Sequence, residues 1–161
     1  MRNLLKILFV MGMLSLLLGC GSQLMPEGRL LEMELTKTGT MAGNMYELRV
    51  ERQSSGVVVL RGMKENYGPL YEKTLTESDV EGFVQIIRDE KMYRYKERYL
   101  PPVKVLDGYM WSFRAVFEGG GIYSRGSNAK PRGDGLKRLR ELAEKLLQDG
   151  SELMVDDAVD N

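Results

Sequence analysis

Histidine is missing from the 161-residue chain, and cysteine occurs once, at Cys20. Without an imidazole, Ser-His-Asp and Cys-His catalysis are excluded, as is any histidine metal ligand. A lone cysteine forms no intramolecular disulfide and no cysteine zinc site. Charge of one sign is not in excess either, because 23 Lys and Arg face 23 Asp and Glu. Nucleic-acid binders normally show a strong basic excess, so this balance argues against such a partner. The N-terminal apolar run, Ile7 to Leu18, falls short of the about 20 residues that cross a bilayer. The chain shows neither an internal repeat nor a low-complexity tract.

The N-terminus carries the densest signal. Arg2 and Lys6 precede the apolar run, which has the length of the centre of a cleavable signal peptide. Leu17-Leu18-Gly19-Cys20 follows, and this resembles the lipobox of bacterial lipoproteins. The small Gly19 precedes the bond to be cut, and the Cys20 thiol accepts the lipid. The resemblance implies a signal peptide over residues 1–19, cleavage between Gly19 and Cys20, and attachment to a membrane through acylated Cys20. An ordinary secretory signal is the alternative. Gly21 is not Asp, which by resemblance to the enteric sorting rule implies an outer membrane where the organism has one. Cleavage removes only Arg2 and Lys6 among the charged residues, leaving a slightly acidic chain long enough for one domain with its own core.

Residues 20–28 read as a flexible tether and 29–149 as a single domain. Leu31, Met33 and Leu35 alternate with Glu32, Glu34 and Thr36, the period of a half-buried strand. After a turn over Gly39–Asn44, Tyr46, Leu48 and Val50 alternate with charged residues. Val57–Leu60 is a β-branched run typical of a central strand, and Leu70–Leu75 suggests a further short one. Thr76 can cap a helix whose apolar face is Val80, Phe83, Val84 and Ile87. Met92 to Asp107 is irregular. Tyr109 to Phe117 then alternates, Gly119–Gly121 permits a reversal, and Ile122–Ser127 returns as its partner. Asp134 can cap a last helix carrying Leu136, Leu139, Leu142, Ala143, Leu146 and Leu147, which stops near Gly150. Residues 150–161 form an acidic tail expected to stay disordered. The whole predicts an α+β domain: a mainly antiparallel sheet of five to six strands with two helices packed largely on one face.

The segment Tyr109 to Leu147 also resembles a group of bacterial lipoproteins and secreted proteins of unknown function. The likeness rests on Trp111-Ser112-Phe113, the glycine turn, Ile122 to Pro131 and the leucine-rich helix. It implies a shared fold and no chemistry. Within it, Gly126 and Asn128 are expected to tolerate left-handed backbone.

Among candidate sites, Trp111 invites stacking on a carbohydrate, but it shares a face with Tyr109, Phe113 and Phe117 and is expected in the core. Tyr93, Arg94, Tyr95 and Tyr99 form a candidate partner-binding loop, where phenol rings alternate with cations; the alternative is a connecting loop that covers a sheet edge. Arg125, Lys130 and Arg132, with Lys137, Arg138 and Arg140, form a basic cluster near the start of the last helix, a possible anion site or simply a solvated face. A carboxylate pair such as Glu118 with Asp107 could do acid–base work on a glycan, but no spacing singles it out. No metal or cofactor is implied. The expectation is a non-catalytic, lipid-anchored binding or envelope-maintenance module whose partner is an envelope protein or glycan. The alternatives are an inhibitor or immunity protein and, third, a carboxylate glycosidase.

Overall fold

The structure, a computed structural model, describes residues 24–39, 45–63, 68–103, 105 and 108–152. The signal peptide, Gly19 and Cys20, most of the Gly39–Asn44 turn, Asp107 and the tail from residue 153 lie outside them.

The domain is α+β. In chain order it runs β1 (Leu30–Gly39), β2 (Tyr46–Arg52), β3 (Val58–Met63), β4 (Leu70–Leu75) and α1 (Glu77–Asp89). A 3-10 turn (Met92–Arg94) leads to β5 (Arg98–Tyr99), β6 (Tyr109–Phe117), β7 (Gly120–Ser127), α2 (Gly135–Leu147) and β8 (Ser151–Glu152). All eight described strands join one sheet, ordered β5-β7-β6-β1-β2-β3-β4-β8. Every pairing is antiparallel except β5 on β7. Five to six strands were therefore too few. The two additions are the edge strands β5 and β8, two residues each, too short to show any period. β8 also carries ordered backbone into the segment expected as tail. At the other end, Gly119 donates its N–H to the Glu27 carbonyl and Met25 packs on the core, so part of the expected tether is bound to the domain.

One face of the sheet makes the core. Met33 and Leu35, Leu48 and Val50, Val58 and Leu60, and Phe113 and Ala115 all point there and are buried. An irregularity between Leu30 and Glu32 shifts the strand register, so Leu30 is buried where simple alternation would choose Leu31. Both helices cover this face. α1 contributes Val80, Phe83, Val84, Ile86 and Ile87, and α2 contributes Leu139, Ala143 and Leu147. The helix period places these residues on single stripes, which must be buried against something apolar. Gly62 lets α2 approach β3, since a Cβ there would lie 2.5 Å from Leu48 Cδ2 and 3.0 Å from Leu147 Cδ1.

The other face carries no helix among the described residues. Across it runs a ladder of alternating charge, Arg114–Glu32 (2.6 Å), Glu32–Arg49 (3.4 Å), Arg49–Glu51 (3.6 Å), Glu51–Arg61 (3.6 Å) and Arg61–Glu72 (2.6 Å). The ladder ends at β6, and beyond it, towards β7 and β5, the outer face changes character.

Candidate functional site

Parallel pairing of β5 with β7 sets Arg98 opposite Arg125 and Tyr99 opposite Gly126. Partners in register share a face, so both guanidinium side chains project outward while Tyr99 turns to the core side. Four contacts hold β5 and the residues before it in place. Arg125 donates its N–H to the Glu97 carbonyl (3.0 Å), and the fully buried Ser124 hydroxyl donates to the Lys96 carbonyl (2.7 Å). Tyr99 accepts from the Lys96 N–H (3.1 Å) and lies 5.8 Å from the Trp111 ring.

On the outer face these strands border a concavity of about 360 Å³. Its polar groups are Arg98, Arg125 and the hydroxyls of Thr36, Ser112, Thr38 and Ser127. Thr36 and Ser112 share a hydrogen bond of 2.7 Å. Its apolar rim is Leu100 and Met110, which are 57% and 60% exposed, with Tyr123, over whose ring the Arg125 guanidinium lies at 5.8 Å. Val103 and Val105 are exposed in the adjoining segment. Unlike Arg49, Arg61 and Arg114, neither Arg98 nor Arg125 meets a carboxylate among the described residues. The arrangement can recognise a carboxylate or other anion bidentately and cover apolar surface beside it. No carboxylate is among the described residues that line it.

The sequence candidates are dispersed relative to this pocket. Tyr95 is 7% exposed and belongs to the core, contrary to its expected place on a binding loop, because the 3-10 turn directs it under α2. Its hydroxyl finds no partner among the described residues, and burial pushes its pKa up to about 12. Tyr93 is half-buried beneath the Arg94 guanidinium (5.6 Å), and Tyr99 packs edge-on against Tyr95. The basic cluster divides as well. Arg125 joins the outer pocket, Lys130 lies on the helix-bearing side, and Arg132 is exposed apart from both. Trp111 is 4% exposed and donates Nε1–H to the Ala129 carbonyl (2.7 Å), a core residue as its face implied. Glu118 is clamped by Arg29, which donates from its backbone N (2.9 Å), Nε (2.9 Å) and Nη2 (2.7 Å). Those bonds, backbone first, hold its carboxyl below the usual range, opposite to what a general acid requires.

Arg98 stood out in the sequence only as one of the cations interleaved with the loop tyrosines, beside Arg94 and Lys96, whereas Thr36, Thr38, Met110 and Ser127 were not singled out. Only the outward half of the β6 alternation, Met110 and Ser112 against Trp111, hinted at this face, and the other lining residues arrive through register. Among the described residues no cluster of three or more carboxylates could hold a metal, and no helix is long and apolar enough to cross a membrane. No protein-family model matches the chain, and no curated protein matches it in sequence.

Proposed function

We propose that this chain is a lipid-anchored, non-catalytic binding module of a bacterial envelope, tethered through Cys20 and engaging an acidic protein partner on its outer sheet face. The observation that carries this reading is the pair Arg98 and Arg125, held in register with no counter-charge among the described residues, beside exposed Leu100 and Met110. Arginine, methionine and aromatic side chains are enriched at the centres of protein interfaces, and Arg98, Arg125, Met110 and Tyr123 supply all three here. The exposed Val103 and Val105 extend the apolar strip along the chain and favour a protein over a glycan, which also keeps the inhibitor reading as the second one. The clamped Glu118 and the lack of histidine support a role without catalysis. Membrane attachment rests on Leu17-Leu18-Gly19-Cys20.

The test uses the full chain in neutral detergent as bait against envelope extract, beside the double variant Arg98→Ala/Arg125→Ala. The expected result is one acidic protein retained at fixed stoichiometry by the parent, and bound at least about tenfold more weakly by the variant. Equal retention by both, or no stoichiometric partner, would sink the proposal. Cys20→Ser should release the chain from the membrane fraction, and full retention there would refute the anchor alone.

A further inference from the structure

A second cleft, also of about 360 Å³, lies on the helix-bearing side between the first half of α2 and residues of β1, β2 and β6. Four cations from three parts of the chain line it: Lys37 of β1, Lys130 before α2, and Lys137 and Arg140 of α2. Two of them have carboxylate partners. Lys137 Nζ is 3.6 Å from Glu141 Oε1, and Arg140 Nε is 3.1 Å from Glu144 Oε1. Lys37 and Lys130 meet no carboxylate among the described residues, so among these two of the four positive charges have no ion-pair partner.

The cations are held in place. Lys37 Nζ sits 5.2 Å from the Tyr109 ring centre, and the Arg140 guanidinium 5.4 Å from that of Tyr46. Such stacking fixes the charged heads at the cleft. The Arg140 Nε atom is buried and pairs with Glu144 at 3.1 Å, which holds the guanidinium at the cleft. Tyr46 keeps its proton, because burial outweighs the pull of Arg140, and its hydroxyl remains available as a donor. Trp111 and Leu136 supply apolar wall between these groups.

We propose that this cleft binds a phosphomonoester carried on a small polyol or sugar. A phosphomonoester bears a charge of about −1.5 to −2 near neutral pH and three acceptor oxygens, which matches two cations without a carboxylate partner among the described residues and the Tyr46 hydroxyl as a donor. A single carboxylate would neutralise only half of that charge. A cavity of this size is at the small end of ligand pockets, suiting a monosaccharide-sized group, whose C–H faces can lie on the aromatic wall. The site is separate from the outer-face pocket and stands or falls independently of it.

The experiment titrates glucose 6-phosphate into the full chain in neutral detergent by calorimetry, and in parallel measures binding to neutral vesicles doped with phosphatidic acid. The expected result is saturable, salt-sensitive binding of the sugar phosphate. It should weaken at least about tenfold in Lys37→Gln/Lys130→Gln and in the single reversal Lys130→Glu, the latter at an exposed side chain whose change leaves the fold intact. Lys145→Gln, on an exposed part of α2 outside the cleft, should bind as the parent does. Binding confined to the vesicles, and lost in the same variants, would place the phosphomonoester on a lipid and still support the site. Absence of saturable binding in both arms, or binding indifferent to Lys37 and Lys130, would overturn it.

Discussion

At the scale of single residues, close approach rather than unusual backbone explains the glycine at position 126. Gly126 was expected to supply left-handed conformation, yet it is not among the positive-φ residues, whereas Asn128, at φ 50°, is. What Gly126 supplies is room. A Cβ there would lie 2.5 Å from both Trp111 Nε1 and the Ala129 carbonyl oxygen, the two ends of the indole hydrogen bond. One end is backbone, so relief requires breaking that bond or moving the buried ring. Gly126→Ala should therefore cost about 2–3 kcal/mol, combining overpacking with a lost buried hydrogen bond. Urea unfolding followed by tryptophan fluorescence measures this directly, since Trp111 is the sole tryptophan. A change within about 0.5 kcal/mol, the range of ordinary surface substitutions, would contradict it. The need for glycine at 126 was legible in the sequence, but its reason depends on an indole fifteen residues earlier in the chain.

At the scale of elements, the two helices begin by different means. α1 has a complete capping box. The Thr76 hydroxyl accepts from the Asp79 N–H (3.2 Å), and the Asp79 carboxylate accepts from the Thr76 N–H (2.9 Å). α2 has no such start, because Asp134 makes no side-chain cap, contrary to its expected role. Instead Glu90, just past the end of α1, accepts from the Asp134 N–H (3.3 Å) and from Arg138 Nη1 (2.8 Å). Thr76→Ala should then lower stability by about 1 kcal/mol, while Asp134→Ala should change it by less than about 0.5 kcal/mol. Chemical denaturation of the two variants decides the matter, and equal losses would show that Asp134 does cap. α1 was legible because its cap and stripe are local in sequence. The anchor of α2 was not, because Glu90 lies 44 residues upstream. The same contrast holds for the sites. Lys130, Lys137 and Arg140 stand out as a basic cluster, but Lys37 joins them, and Arg98 joins Arg125, only through strand register that periodicity does not specify.

At the scale of the whole molecule, arginine–carboxylate clasps tie together parts that are distant along the chain. Arg52, its side chain nearly buried, grips Glu77 at the start of α1 (2.6 and 2.8 Å), Arg29 grips Glu118, and Arg138 grips Glu90. In each pair hydrogen bonds from the arginine hold the carboxyl below its ordinary pKa, and Thr76 does the same for Asp79. A carboxylate whose folded pKa is depressed adds stability above its unfolded pKa and loses it as the pH falls through the folded one. Acid should therefore destabilise the domain from about pH 4 downward, the range in which unfolded carboxylates titrate. Burial acts at the alkaline end. It raises Tyr95 from 10.0 to about 12, so the folded state keeps a proton that the unfolded chain gives up, and stability declines above about pH 10. Between these limbs the absence of histidine leaves no side chain with an ordinary pKa between about 5 and 8. The melting temperature should thus form a plateau across neutral pH with a fall on each side. Tyr95→Phe removes a hydroxyl without a partner among the described residues, so it should make the alkaline limb shallower, with Tyr46, also raised by burial, accounting for part of what remains, and should not lower the plateau. Melting curves by circular dichroism from acid to alkaline pH, for the parent and this variant, provide the check. A slope inside the neutral window, or an alkaline fall unchanged by Tyr95→Phe, would show that the pH response comes from groups other than these clasps and this phenol.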